Sequence, residues 1–159
     1  MKKSKAIILI LVFAMLAFSA AACQKQSQST AINQTAGTEE SIFTNFNVNS
    51  VMSQPTSPTV FTIDQPCKIT SILDYHYLNK GALPGTITLK SQDGTVYGPW
   101  KTEGTVGQGN VANANWIAKP NIVIKAGTYT VIDSDPATWS QNPKSNGCGF
   151  TEIKGIKQK

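Results

Sequence analysis

The sequence predicts an all-β protein with a single β-sandwich or jelly-roll-like domain. Short runs of β-branched and aromatic residues alternate with clusters of Gly, Pro and Asn along most of the chain. Beyond the N-terminal apolar run, no stretch repeats apolar residues at the 3.6-residue spacing of an amphipathic helix. About eight strand-like runs in roughly 115 residues are typical of a sandwich.

The predicted strands follow one another from residue 42 onwards. In chain order they span residues 42–48, 59–63, 68–78, 86–90, 95–97, 121–125, 128–132 and 150–156. Asp93-Gly94 predicts a turn after the fourth strand, and Ala126-Gly127 predicts a hairpin between the sixth and the seventh. One short helical turn is expected at residues 136–140, because Asp135 can cap it and Pro136 suits its first position.

The first 22 residues have the three-part layout of a secretory signal peptide. Lys2, Lys3 and Lys5 precede an unbroken apolar run over residues 6–18, and small residues then lead to Cys23. A permanent transmembrane helix is the alternative, but spanning needs about 20 apolar residues. This run reaches 17 only when all of residues 6–22 are counted. We therefore interpret residues 1–22 as a signal peptide.

Cys23 is the predicted site of lipid attachment. The segment that ends there resembles a bacterial lipoprotein signal, which implies that Cys23 is diacylated, becomes the new N-terminus and anchors the protein to a membrane. Ala20 stands where that signal usually carries Leu, and Ala20-Ala21-Ala22 also suits the ordinary signal peptidase, so secretion without lipid is the alternative. Residues 23–41 are polar and predict a flexible tether, which favours an anchored domain over residues 42–159.

Two further cysteines, Cys67 and Cys148, belong to the predicted domain. If Cys23 carries lipid, an even number of thiols remains in an oxidising compartment, which predicts a Cys67–Cys148 disulfide. Such a bond would close most of the domain's chain and is worth about 4–5 kcal/mol in the chain-entropy model. The alternative is two unrelated thiols, because disulfide formation depends on geometry.

The mature chain is predicted to be nearly neutral. The whole sequence has a net charge of +5, but removing the three lysines of the signal leaves 11 lysines against 9 acidic residues. The sequence contains no arginine, the residue most used to recognise phosphates and base edges. Together with the predicted export, this argues against nucleic acid as a partner.

The most distinctive sequence lies between residues 126 and 142, where a predicted strand leads into a loop rich in Asp, Ser, Thr and Asn. With Tyr-Gly-Pro-Trp at 97–100 and the Asn-rich segment 109–116, it resembles a recurrent bacterial extracytoplasmic domain. The resemblance covers roughly residues 69–155, and the Asp-Ser-Asp-Pro-x-Thr-Trp-Ser run at 133–140 is its most specific part. It implies a β-sandwich module and brings no established activity with it.

This loop supplies the first candidate site. Loop carbonyls and the side chains of Asp133, Ser134, Asp135 and Asn142 could provide several of the six to eight oxygen ligands that calcium takes. Calcium is the one cofactor that the residues suggest. The alternative is local: Asp135 caps the helical turn and Asp133 accepts hydrogen bonds from the loop backbone.

Three tryptophans supply the second candidate site. Trp100, Trp116 and Trp139 each lie beside turn residues. Their planar faces could stack on a sugar or a peptide, with nearby Asn, Asp and Thr groups fixing its orientation. The alternative is that they close the ends of the sandwich.

His76 is the single histidine and lies between Tyr75 and Tyr77. Strand alternation predicts that its side chain points to the face opposite both tyrosines. A structural, hydrogen-bonded role is expected, since the spacing identifies neither a nucleophile with an acid for a triad nor enough ligands for zinc.

The sequence therefore predicts a non-catalytic binding or interaction module, held at the membrane by Cys23, with an envelope glycan or protein as its partner. Two alternatives stay open. One is a hydrolase of envelope polymer that uses Asp133 and Asp135, because glycosidases pair two carboxylates across the scissile bond. The other is a purely structural envelope lipoprotein. Nothing in the pattern indicates an oligomeric state.

Overall fold

The computed structural model describes residues 37–159, which form twelve β-strands and two single-turn 3₁₀ segments. The predicted all-β class is confirmed. The predicted signal peptide, Cys23 and most of the tether lie outside the described residues. Among the residues described, no helix is long and apolar enough to cross a bilayer.

The strands follow the predicted order, with four short ones added. They are β1 (Glu40–Thr44), β2 (Met52–Ser53), β3 (Thr59–Ile63), β4 (Cys67–Tyr75), β5 (Thr86–Ser91), β6 (Val96–Lys101), β7 (Glu103–Thr105), β8 (Asn115–Ala118), β9 (Ile122–Ile124), β10 (Gly127–Asp133), β11 (Ser140–Gln141) and β12 (Thr151–Lys157). The 3₁₀ segments are Gln108–Asn110 and Pro143–Ser145.

Ten of the strands form two sheets. The larger has the order β1-β12-β4-β8-β7, with β9 also paired to β4, and the smaller has the order β3-β10-β5-β6. Alternate residues of both sheets are buried, as in β3, where Thr59, Phe61 and Ile63 are buried and Val60 and Thr62 are exposed. These inward side chains form one apolar core between the sheets, to which β3, β4, β5, β8, β9, β10 and β12 all contribute. The architecture is a β-sandwich.

The turn predicted at Asp93-Gly94 is present and connects the paired strands β5 and β6. Gly94 adopts a positive φ of 90°, a conformation that glycine takes without steric cost. Ser91 closes the turn, because its carbonyl accepts from Gly94 N at 2.9 Å and its N–H donates to the Thr95 carbonyl at 2.8 Å.

The hairpin predicted at Ala126-Gly127 is wrong. Strand β9 pairs with β4 in the larger sheet, whereas β10 pairs with β3 and β5 in the smaller one. The chain therefore crosses between sheets at these two residues. A turn sequence between two apolar runs does not specify whether the runs pair with each other, because pairing depends on which sheet each run completes.

The helical turn predicted at residues 136–140 is a β-turn instead. Thr138 N donates to the Asp135 carbonyl at 3.2 Å, and the chain leaves the turn at Trp139. Ser140 and Gln141 then pair with β2. The helix does not propagate because Trp139 is buried in the core and β11 continues as a strand.

The predicted Cys67–Cys148 disulfide is not formed in the structure, where both cysteines are free. Cys67 pairs with Lys157 at one end of the β4–β12 ladder, and Thr151 pairs at the other end, six residues away. That is a span of roughly 20 Å along the strand. Cys148 lies just before Thr151, where its thiol donates to the Pro58 carbonyl at 3.3 Å. A disulfide needs Cα atoms within about 7 Å.

Candidate functional site

A buried polar contact joins the ends of two strands that belong to different sheets. His76 directly follows β4 of the larger sheet and Asp133 ends β10 of the smaller one. His76 Nε2 lies 3.3 Å from Asp133 Oδ2, and both side chains are 0% exposed. The imidazole also stacks on the Trp116 indole, with ring centroids 3.7 Å apart and planes at 18°. His76 therefore points away from Tyr75 and Tyr77, as predicted.

The turn after β10 completes this network. Thr138 Oγ1 donates to Asp135 Oδ2 at 2.8 Å and lies 2.9 Å from His76 Nδ1. Because the one hydroxyl proton is directed at the carboxylate, Nδ1 of His76 must donate to Thr138. The 3.3 Å contact on the other side of the ring then needs a proton between His76 Nε2 and Asp133 Oδ2. The remaining oxygen of Asp133 accepts from Asp135 N at 2.7 Å.

A second carboxyl group, Asp74, is completely buried beside Asp133. Burial raises the pKa of Asp74 well above its ordinary value, and the charge of Asp133 raises it further; the Thr151 hydroxyl, which donates to Asp74 Oδ1 at 2.6 Å, acts in the opposite direction. Oδ2 of Asp74 finds no hydrogen-bond partner in the part of the chain that the structure describes. The folded protein therefore holds the Asp74 proton to a higher pH than the unfolded chain does.

Two of the three tryptophans proposed as ligand contacts are inside the domain. Trp116 is 1% exposed and Trp139 is 4% exposed. Trp139 Nε1 donates to the Phe150 carbonyl at 3.0 Å, and its indole packs so closely on Gly149 that any Cβ there would clash with the ring. Trp100 is half-buried on β6 and packs against the main core. The three rings do not meet at an open cleft.

Asn142, another predicted ligand contact, is also fully buried. Its side-chain oxygen accepts from Ser145 N at 2.9 Å and so caps the second 3₁₀ segment. Its amide nitrogen donates to Asn47 Oδ1 at 2.7 Å and to the Ser50 carbonyl at 3.3 Å. Asn142 therefore holds the loop formed by residues 46–51 in place. Its side chain makes these internal hydrogen bonds instead of the predicted contact with a ligand.

That loop forms one wall of a surface groove of about 380 Å³, which an adjoining recess of about 360 Å³ extends. We call the two together the tyrosine groove. Its lining residues are Phe46, Asn47, Val48, Asn49, Ser50, Val51, Tyr75, Tyr77, Val106, Gly107, Gln108, Asn115 and Phe150. Its size falls within the roughly 300–1,000 Å³ of ligand-binding pockets.

Four aromatic side chains make the floor of the tyrosine groove. Tyr75 and Tyr77 stack with ring centroids 6.1 Å apart, and Phe46 stacks on Phe150 at 5.5 Å and tilts against Tyr75 at 5.8 Å. Tyr75 and Phe150 are buried, whereas Tyr77 and Phe46 keep part of their surface exposed. Burial raises the pKa of Tyr75, so its phenol keeps its proton at all physiological pH values.

Sequence reasoning missed this groove. The signal available was the Tyr75-His76-Tyr77 alternation, which placed both tyrosines on one face, and the Asn-Val-Asn-Ser run at 47–50. Residues 48–50 are about 25 positions from the tyrosines in sequence, and nothing in the pattern indicated that the loop would return to them. None of the tryptophans, and neither Asp133 nor Asp135, lines the groove.

Asp133 and Asp135 have few carboxylate oxygens free to bind a metal ion. Three of their four carboxylate oxygens already accept or share hydrogen bonds with His76, Thr138 and the backbone. Within residues 37–159, no group of three or more His, Cys, Asp or Glu side chains is arranged to hold a metal. Calcium binding stays a prediction of the sequence, and these residues make no open ligand set for it.

No protein-family model, curated protein or solved structure was found to match this chain. The resemblance carried by residues 133–140 therefore stays a prediction.

Removing the Asp133 side chain tests whether this polar cluster is structural. We expect Asp133→Ala to lower the free energy of unfolding by about 1–3 kcal/mol, because it leaves His76 Nε2 buried without its hydrogen-bond partner and Asp135 N without its acceptor. Asp64→Ala, at an exposed position, is the matched control and should change stability by less than about 0.5 kcal/mol. Urea unfolding followed by circular dichroism measures both, and equal stabilities of the two variants would contradict the structural role.

Asp74 gives the cluster a pH dependence of known sign. The unfolded chain releases the Asp74 proton near pH 4, whereas the folded protein retains it, so this group contributes less to stability as pH rises from about 4 towards its raised folded pKa. Asp74→Asn keeps an acceptor for Thr151 and cannot ionise. Between pH 4 and 7 we expect the stability of the variant relative to the wild type to rise with pH, by at most about 1.4 kcal/mol for each pH unit. Parallel pH profiles of unfolding free energy would show that Asp74 is not the group responsible.

Proposed function

We propose that this chain is a membrane-anchored extracytoplasmic lipoprotein whose β-sandwich domain binds an envelope component at the tyrosine groove without catalysing a reaction. The proposal rests on the fact that the buried carboxyl and imidazole side chains and the open groove lie in different parts of the domain. The acidic and imidazole groups suited to catalysis are sealed in the core, while the open groove is lined by neutral side chains alone.

The walls of the groove are held in place before any ligand arrives. The Asn47 and Asn142 amides bond to each other in both directions, at 3.1 and 2.7 Å, on one side. On the other side, Asn115 Nδ2 donates to the Val106 carbonyl at 3.0 Å. A preformed site avoids the entropy cost of ordering loops on binding. This rigidity favours a recognition site over a loop that merely connects strands.

The hydrolase alternative is disfavoured by access. A general acid must reach the scissile oxygen directly or through one water, and the Asp133 side chain is 0% exposed with its oxygens committed to His76 and the backbone of Asp135. No carboxylate lines the groove. Two carboxylates flanking a sugar are therefore not available at this groove.

The anchoring part of the proposal rests on the sequence up to Cys23 and on the polar tether that follows. A lipid chain inserted in a bilayer and a spacer of about 20 residues would leave the domain free to reach neighbouring envelope polymers. Under this proposal the groove, and not the membrane, supplies specificity.

Lipid attachment has a direct mass signature. Protein extracted from membranes should have an intact mass equal to the chain from residue 23 plus a diacylglycerol adduct, because acylation accompanies removal of residues 1–22. Cys23→Ser should abolish the adduct and release the domain from the membrane fraction. An unmodified wild-type chain found only in the medium would contradict the anchor.

Binding at the groove is tested with two matched amide variants. Gln108 lines both parts of the groove and Gln92 is exposed elsewhere. We expect detergent-solubilised wild type and Gln92→Ala to co-sediment with washed envelope fragments of the producing bacterium, and Gln108→Ala combined with Tyr77→Leu to lose about tenfold in affinity, because a stacking face and a hydrogen bond together are worth more than 1.4 kcal/mol.

If the wild type fails to co-sediment, or if the groove variant binds as well as the Gln92→Ala control, the purely structural interpretation replaces the binding module. Circular dichroism of each variant before the assay establishes that any loss reflects the groove and not the fold.

A further inference from the structure

We propose that the tyrosine groove takes an uncharged glycan chain, with Tyr77 as the stacking platform and the Asn49 and Gln108 amides as the groups that read sugar hydroxyls. This inference rests on the proposed function, since it names the chemical class of the groove's occupant. Three features of the groove support it: its lack of charge, its free amides and its half-exposed aromatic ring.

No lysine, aspartate, glutamate or histidine is among the groove's lining residues. Moving an ionised group into a site without a counter-charge is costly, because the group loses water and gains no partner. The groove therefore discriminates against phosphates, uronic acids, amino sugars with free amines and charged peptides. The same absence of carboxylates excludes calcium here, because calcium requires several hard oxygen ligands.

Two amide side chains at the groove are available to a ligand. Asn49 and Gln108 line both parts of the groove, and their side chains make no hydrogen bond within the described region of the protein. Each amide presents an acceptor and two donors in one plane. Adjacent sugar hydroxyls each donate and accept, so a planar amide can satisfy two at once.

The other two amides at the groove serve the walls. Asn47 is paired with buried Asn142, and Asn115 bonds Thr105 Oγ1 at 3.2 Å and the Val106 carbonyl. The site thus divides its amides into a fixed pair that shapes it and a free pair that faces solvent. This division is expected of a preorganised binding site and has no purpose in a loop that only connects strands.

Tyr77 supplies an apolar face with a polar edge. Its ring stacks on Tyr75 and is half-buried, so one side is supported by the protein and part of the ring remains open. Its backbone is fixed, because Tyr77 N donates to Ser140 Oγ at 2.8 Å. The C–H face of a pyranose can cover such a ring while its hydroxyl groups stay hydrated. The exposed side chains of Val48 and Val106 would flank the bound glycan on either side.

A peptide is the competing occupant, and the groove lacks what peptide recognition uses. None of its lining residues belongs to an edge strand of either sheet, so it offers no free strand edge for an added strand. It also offers no charged group for a peptide terminus. A neutral sugar chain needs neither.

The test uses the intact lipidated protein in a detergent without a sugar headgroup, because maltoside or glucoside detergents would themselves occupy a glycan site. Isothermal titration calorimetry compares three neutral tetrasaccharides (cellotetraose, maltotetraose and chitotetraose) with tetragalacturonate, the chitosan tetramer, an uncharged capped tetrapeptide and calcium chloride. We expect at least one neutral tetrasaccharide to bind, and the two charged sugars to bind at least tenfold more weakly.

Variants tie the binding to the groove. Gln108→Ala and Asn49→Ala should each weaken the neutral tetrasaccharide about three- to tenfold through one lost hydrogen bond. Tyr77→Leu should weaken it about tenfold, and Tyr77→Phe should retain most of the affinity because the ring survives. Gln92→Ala, away from the groove, should match the wild type.

Three results would overturn the inference. Groove-dependent sedimentation with envelope fragments and no binding of any neutral tetrasaccharide would leave the binding module standing and refute its glycan ligand. Tighter binding of the tetrapeptide or of a charged sugar would assign a different ligand class. Tetrasaccharide affinity unchanged in both Gln108→Ala and Tyr77→Leu would place the sugar elsewhere on the domain.

Discussion

The buried contact between His76 and Asp133 constrains most of the domain, because its two partners belong to different sheets. Neither side chain reaches water, so each depends on the other and on Thr138 for its hydrogen bonds. Removing either partner would leave a buried nitrogen or oxygen of the other without a hydrogen bond, which costs about 1–3 kcal/mol. Such a pair fixes the relative register of the sheets more strongly than apolar packing, which tolerates sliding and repacking.

The same network explains why the chain around residues 133–142 is so polar. Its Asp, Thr and Asn side chains satisfy groups that the sandwich buries: Asp133 for the imidazole, Thr138 for both His76 and Asp135, and Asn142 for the 3₁₀ turn and the 46–51 loop. Buried polar groups must be paired, and a fully paired network makes one arrangement far more stable than its competitors. In the sequence this concentration of polar residues resembles a ligand site. In the folded protein these side chains form an internal scaffold, because they hydrogen-bond to other buried groups.

The buried polar network and the tyrosine groove lie on opposite sides of the chain where β4 ends. Tyr75 and Tyr77 point to the groove while His76, between them, points to the buried cluster. On the opposite wall, Asn142 holds the 46–51 loop through Asn47 and Ser50. The buried hydrogen bonds therefore also hold the walls of the groove rigid. A small, uncharged site needs such rigidity to bind one ligand selectively.

The sequence by itself determined the fold class, most strand positions and the side on which His76 lies, because these follow from local periodicity and from the alternation of side chains along a strand. The β3 prediction at 59–63 matches Thr59–Ile63, and β4, β5, β10 and β12 agree to within a few residues. Only the tertiary structure decided the rest. Contacts between residues far apart in the chain decide which sheet β9 and β10 join and leave Cys67 and Cys148 as free thiols. Such contacts also bury Trp116 and Trp139 and bring residues 46–51 back to Tyr75 and Tyr77. Local pattern carries no record of such contacts, since they are selected by the packing of the whole sandwich.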